Sequence, residues 1–191
     1  MLAQASGSLL PAVKFPQTLV AVGQMTLFGY EVVRSYCADG KSFVQSVVNP
    51  QDPHASLETR FYTLQQEAHP ANAEEWDFLL SDEDGYVGYP FFDLGDYEAG
   101  GTRYPRLWSP GEGRIAPVIA EEVITAADGS TQILRHRLML HGRRLGDGAD
   151  ASAPAEYLIA DIIESEDGAS FSVFLGLDVD GSALTVLSPV A

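Results

Sequence analysis

Alternating apolar runs broken by Asp-Gly dipeptides predict a mainly β protein. The strands are expected to be antiparallel, arranged as two packed sheets or two β-lobes, with one short helix. Three observations carry this expectation. Asp-Gly occurs six times, at Asp39-Gly40, Asp84-Gly85, Asp128-Gly129, Asp147-Gly148, Asp167-Gly168 and Asp180-Gly181. A two-residue type I′ turn needs positive φ at both central positions, which Gly adopts freely and Asp more readily than most. Several of these pairs separate runs of period-two alternation, the mark of a half-buried strand. Helical spacing is confined to one stretch, 72–80.

Taken in order, Gln17 to Phe28 is β-compatible, and Gly29 opens a strand from Tyr30 to Cys37. Asp39-Gly40 turns it into Ser42 to Val48, where Phe43, Gln45 and Val47 share one face. Asn49 to His54 reads as a loop, because Pro50 and Pro53 cannot donate to a ladder. A strand over Arg60 to Gln66 follows. In the helical stretch Asn72 can cap, Glu74 and Glu75 complement the helix dipole, and Trp76, Leu79 and Leu80 form a docking stripe led by Trp76. Gly85 to Ser109 holds seven aromatics among five glycines, predicting short or irregular extended backbone under large rings. The second half predicts a hairpin of Ile115–Thr125 with Thr131–Leu140, and another of Glu156–Ile163 with Ser170–Leu177. A last strand is expected over Ala183–Leu187. Gly146 to Pro154 is a connection rich in small residues, so the chain is either one domain or two lobes at about 15–100 and 103–191.

Composition excludes several functions. The net charge is −16, which argues against nucleic acid, since phosphate binding needs a basic face. Residues 61–102 carry ten acids and no Lys or Arg, and residues 145–191 carry nine acids and none, whereas 103–144 holds seven arginines against four acids. Acidic stretches on that scale repel anionic lipid, so docking is expected on a basic protein face, not directly on a membrane. A single cysteine, Cys37, rules out an intramolecular disulfide and a cysteine-built zinc site; it reads as a small core hydrophobe in a reducing, cytoplasmic setting. Met1 to Val13 has no basic residue ahead of its apolar stretch, so no signal peptide is expected there. No apolar run approaches the ~18 residues of a membrane span.

Five blocks carry a family resemblance. They are Glu75-Trp76-Asp77-Phe78, Gly85-Tyr86-Val87-Gly88-Tyr89-Pro90, Tyr104-Pro105-Arg106-Leu107-Trp108-Ser109-Pro110-Gly111, the run Arg135 to Arg143, and Glu156-Tyr157-Leu158. In these the chain resembles the YjfK-like family of bacterial proteins without assigned function. The resemblance transfers no catalytic residue. It implies a context, since such proteins are similar to those encoded beside relatives of the phage-shock protein A coat family, which assemble on stressed inner membranes.

Chemistry-bearing motifs are few. His54 and His69 lie in proline-bearing loops. His136 and His141, five apart, fall on opposite faces of an ideal strand, so no metal and no cofactor is expected. Asp178, Asp180 and Ser182 alternate like a calcium loop, yet Gly181 comes too early and no closing Glu follows. The candidate site is the aromatic segment, where Tyr86, Tyr89, Tyr97, Tyr104 and Trp108 could line a groove while Arg103 and Arg106 hold anions or carboxylates. Asp93, Asp96 and Glu98 could supply paired carboxylates for glycoside hydrolysis. In the competing reading these rings are simply core, with Arg103 and Arg106 paired to Asp77 or Asp82. The preferred function is a noncatalytic soluble adaptor of a phage-shock-like membrane-stress system. Its partner contacts would be Asp82, Glu83 and Asp84, or Glu164, Glu166 and Asp167. The alternative is a small hydrolase acting on a sugar or peptide at the cleft Gly85 to Pro110.

Overall fold

The computed structural model describes residues 7–10, 16–81, 85–95, 101–146, 153–180 and 184. Ten strands form: β1 (Leu19–Leu27), β2 (Tyr30–Cys37), β3 (Ser42–Asn49), β4 (Asp52–Ala68), β5 (Phe91–Leu94), β6 (Thr102–Pro105), β7 (Val118–Ala126), β8 (Thr131–Arg144), β9 (Ala155–Ser165) and β10 (Gly168–Asp178). Helix α1 spans Ala73–Leu80, and a 3₁₀ turn follows over Tyr86–Gly88. The protein is mainly β and antiparallel, with one short helix.

Eight strands close a barrel in the order β1-β2-β3-β4-β10-β9-β8-β7. Two four-stranded meanders, β1 to β4 and β7 to β10, meet along β4/β10 and β1/β7. Closure leaves no unpaired barrel edge, the usual liability of an open sheet. The segment between the meanders carries α1, the 3₁₀ turn and the two-stranded sheet β5-β6, and lies on the barrel's outer wall. The core is therefore double. Met25, Val32, Phe43, Tyr62, Leu138 and Ile159 fill the barrel, while Phe61, Met139, Leu158, Ile162 and Leu175 face outward and are covered by Leu79, Val87, Phe92 and Tyr104. Strands buried on both faces need near-continuous apolar sequence, as in Tyr157 to Ile163.

The turns show which local signals decide. Asp39-Gly40, Asp128-Gly129 and Asp167-Gly168 all close hairpins with the glycine at positive φ. Asp84-Gly85 does not: Gly85 leads into the 3₁₀ turn against the backbone of Leu80 and Ser81. Conversely Phe28 (φ 53°) and Gly29 (φ 83°) form the β1-β2 turn, a type I′ pair without Asp. The expected loop Asn49 to His54 is replaced by a tight turn, with Asn49 opposite Asp52 and β4 already begun. The register slips after Val47, so Pro53 has no ladder partner and its missing N–H costs nothing. β7 starts at Val118 instead of Ile115, behind Pro117. Gly148, Gly181 and, apart from Leu184, the strand expected over Ala183–Leu187 lie outside the described residues.

Helix α1 is built as its sequence suggests. Asn72 Oδ1 accepts from Glu75 N (3.0 Å), and Glu75 reaches back to Asn72 Nδ2 (2.7 Å) and Ala71 N (2.9 Å), a capping box. Trp76 packs half-buried on the outer core, but the residue fully buried by the helix is Leu79. At its C-terminal end Arg114 donates to the carbonyls of Leu80 (3.3 Å) and Gly85 (3.2 Å), tying helix to 3₁₀ turn. Among the described residues no helix is long and apolar enough to cross a membrane.

Candidate functional site

Residues of α1, the 3₁₀ turn, β5 and the adjoining ends of β4 and β10 surround a concavity of about 650 Å³. Its apolar surface comes from Phe78, Leu79, Tyr86, Phe92 and Phe171, and its acids are Glu74, Glu75 and Asp93. Phe78 stands 64% exposed and stacks on Tyr86 at 5.6 Å, 20° between planes. Tyr86 in turn contacts Phe92 at 4.9 Å and Tyr89 edge-on at 5.7 Å. The Tyr86 hydroxyl, whose proton affinity is raised by burial, donates to Asp93 O and accepts from Asp93 N, both at 3.4 Å. The rings thus form a stacked shelf fixed to β5.

The acids of the concavity are partly engaged. Asp93 takes a bidentate fork from Arg103, Nε at 2.8 Å and Nη2 at 2.9 Å, and that guanidinium lies 3.9 Å over the Phe91 ring. Glu75 is held by the helix cap, while Glu74 is exposed with no structural task of that kind.

The predicted site residues are dispersed. Tyr86 lines the concavity, Tyr89 flanks it, and Arg103 locks Asp93 beside it. Tyr104 points into the barrel wall and is fully buried, its hydroxyl donating to Glu156 at 2.6 Å. Arg106 is buried as well, and in place of the expected Asp77 or Asp82 it donates to the carbonyls of Gly88 (2.8 Å), Ser109 (3.0 Å) and Gly111 (3.5 Å). Arg103 forks onto Asp93, and Asp82 lies outside the described residues. A guanidinium fork satisfies whichever acceptors the local backbone brings within reach, and strand pairing sets Asp93 opposite Arg103. Trp108 sits at one barrel end, edge-on to Phe28 at 5.1 Å. Glu164 pairs with Arg137 at 3.1 Å on the outer wall, and Glu166 and Asp167 are exposed in the β9-β10 turn. Tyr97, Asp82, Glu83, Asp84, Asp96 and Glu98 lie outside the described residues.

Sequence reasoning passed over a second group, inside the barrel. Arg34 of β2, Glu122 of β7, His136 of β8 and Asp161 of β9 are all buried there. Arg34 Nη1 lies 3.4 Å from Glu122 Oε2, and Arg34 Nε donates to Gln45 Oε1 at 3.0 Å. The Tyr36 hydroxyl reaches both Glu122 oxygens, at 2.9 and 2.8 Å. His136 Nδ1 bonds Asp161 Oδ2 at 2.8 Å, and its Nε2 lies 2.9 Å from Glu122 Oε2, an ion-pair contact outside hydrogen-bond angles. Burial alone would lower the His136 proton affinity, but the Asp161 and Glu122 carboxylates prevail and push its pKa up to about 9. Burial would raise the Glu122 carboxyl, yet His136, Arg34 and Tyr36 hold it below its ordinary value. The quartet is two cations and two anions. Gly23 makes room for it, since a Cβ there would overlap the Glu122 carboxylate. The sign available in the sequence was Asp161 itself, an acid amid Leu158-Ile159-Ala160 and Ile162-Ile163.

His141 is on the other face of β8, buried against Phe92 at 5.9 Å, so the two strand histidines do lie apart. Burial and the nearby Arg106 charge depress it to about 4, hence neutral at physiological pH. Cys37 is buried in the outer core and its thiol is pushed up to about 11 by burial, which suppresses thiolate chemistry.

A family described as "Protein of unknown function (DUF2491)" matches residues 8–185. The chain belongs to this family. No curated protein and no solved structure matches it. Within this DUF2491 chain the matched span takes in the whole barrel, the covering helix and sheet, and both groups of side chains described above.

Proposed function

We propose that this DUF2491 protein is a noncatalytic interaction module, acting as a soluble adaptor whose concavity over β4/β10 receives a basic, apolar segment of a partner protein. One observation carries the reading. The two histidines whose proton affinity is strongly displaced, His136 and His141, are sealed in the barrel interior and wall, and the carboxylate Glu122 is sealed with them, whereas the open concavity offers a stacked aromatic shelf lined by acids. Catalytic acid–base pairs belong in a cleft, where substrate reaches them. Exposed rings beside carboxylates suit Lys or Arg, through cation–π contact and Coulomb attraction together.

The YjfK-like resemblance supplies the context, so the expected partner is a relative of the helical phage-shock protein A coat family offering a basic face. Asp82, Glu83 and Asp84 follow α1 directly in sequence. The Glu166-Asp167 turn lies at the end of the barrel where Phe171 and Ala68 border the concavity. Both acidic runs are therefore suited to extend the contact. Titrating such a coat protein against this chain tests the proposal. Binding should be strongest at low salt, weaken as the Debye length shrinks, and fall at least tenfold on Phe78→Ala or on Glu166→Lys with Asp167→Lys. No binding at low salt, or affinity indifferent to salt and to all three substitutions, ends it.

A further inference from the structure

Among the described residues the outer wall of the barrel is covered on one side only. Across β1, β7 and β8 the outward positions carry β-branched apolar residues in the open: Val20, Val22, Ile119, Val123 and Ile133, with Ile119 at 76% and Ile133 at 53% exposure. Strand register sets Val22, Val123 and Ile133 side by side, with Ile119 one outward position beyond Glu121. Val123 lies opposite Ile133, and on its other side Gln24 of β1 is opposite Val123 and Val22 opposite Thr125. Single exposed apolar residues are ordinary, but a contiguous set on one sheet face marks an interaction surface.

We infer that this bare wall is a self-association face, through which two copies of the chain pair. The charge pattern names the occupant. In a chain of net charge −16 two copies repel wherever their acidic surfaces meet. On the bare wall the charges nearly balance: Glu121 lies opposite Arg135, their side chains 3.7 Å apart, Arg137 pairs with Glu164, and Glu31 of β2 is the one further described acid. A face that carries both members of an ion pair is complementary to itself, which a two-fold contact requires. A strongly basic partner gains nothing here, and an anionic lipid surface is repelled by the molecule as a whole. Because the barrel is closed, pairing goes face to face instead of edge to edge.

The size is adequate. Nine-residue strands β1 and β7 run about 30 Å, and with β2 and β8 the face is about 19 Å wide, roughly 1,100 Å² over both copies, near the ~1,000 Å² a specific interface needs. In the ring of eight strands β1/β7 stands opposite β4/β10. A pair would therefore turn two concavities outward, on opposite sides. That consequence rests on the function proposed above; the pairing itself does not.

Sedimentation equilibrium of the whole chain from about 1 to 200 µM tests it, the range in which an interface this small dissociates. The mass should rise from one chain to two. Ile119→Lys with Val123→Lys should hold the protein at one chain throughout while leaving its circular dichroism unchanged. Glu121→Arg should raise the dissociation constant at least tenfold, and adding Arg135→Glu should restore it. A wild-type mass of one chain at every concentration overturns the inference. So does a pair indifferent to these substitutions, and where the double lysine variant fails to fold the charge exchange decides alone. Failure of partner titration leaves the mass result untouched, so the two readings fall separately.

Discussion

Two carboxylates of this barrel, Glu122 and Glu156, have the same burial and opposite surroundings. Both are fully buried, and both accept from a tyrosine and an arginine. Glu122 points inward, and its partners all belong to barrel strands: His136 to the neighbouring β8, and Arg34 and Tyr36 to β2, one strand beyond β1. Glu156 points outward, and its partners other than Arg143 of β8 come from the coverings. Tyr104 Oη reaches it from β6, while Ser8 Oγ (2.5 Å), Leu9 N (2.8 Å) and Leu10 N (3.2 Å) reach it from the segment before the barrel. Arg143 completes the set and also donates to Gly7 O at 2.6 Å. In the first case the charge holds strands to one another. In the second it ties appended chain onto the outer wall.

The largest expected effect falls on the inner carboxylate. Glu122→Ala leaves two buried cations, Arg34 and the His136 imidazolium, to the Asp161 carboxylate, and should cost about 3 to 5 kcal/mol in urea unfolding. A loss below about 1 kcal/mol would mean the quartet is not a unit. Gly23→Ala should be nearly as damaging, because the added methyl has only the Glu122 carboxylate to displace.

The pH dependence of stability follows next. His136 has its pKa raised in the folded state, from 6.5 to about 9, so its contribution is complete below pH 6.5 and lost as pH rises through 9. The loss should be on the order of 3 kcal/mol, and it should vanish in His136→Gln. On the acid side the lowered Glu122 carboxyl acts in the opposite sense, its contribution present above about pH 4.5 and lost as pH falls further. Flat stability between pH 6.5 and 9 would break the account.

Glu156→Gln keeps the shape but weakens the charge-assisted bonds to the covering segments, and about 1.5 to 3 kcal/mol should go with it. Its sharper signature is local. Protease cleavage near Ser8 should accelerate in Glu156→Gln more than in any inner-carboxylate variant of equal stability. The smallest pair concerns α1: Trp76→Ala, at a half-buried position, should cost about 1 to 2 kcal/mol, whereas Phe78→Ala should cost less than about 0.5 kcal/mol while weakening partner binding at least tenfold. A large stability loss at Phe78 would return the aromatic shelf to the role of core.

Much of this molecule is determined locally. Period-two alternation places Phe43, Gln45 and Val47 together, Asp-Gly sets three hairpins, and Asn72 with Glu75 starts the one helix. Each rests on contacts within a few residues, which is why each was legible. Phe78 was passed over, although an aromatic on the helix face opposite Trp76, among Glu74, Glu75 and Asp77, was the sign that could have found it. Tertiary structure alone decided the rest. Closing β1 on β7 and β4 on β10 gathers Arg34, Glu122, His136 and Asp161 from four strands and ties Ser8 to Glu156 across the chain. The same closure sets which outward faces the helix and small sheet cover and which stay bare. Periodicity reports which residues share a face of one strand, but not which strand comes alongside. That choice is made by register and packing over distant sequence, where no local propensity acts.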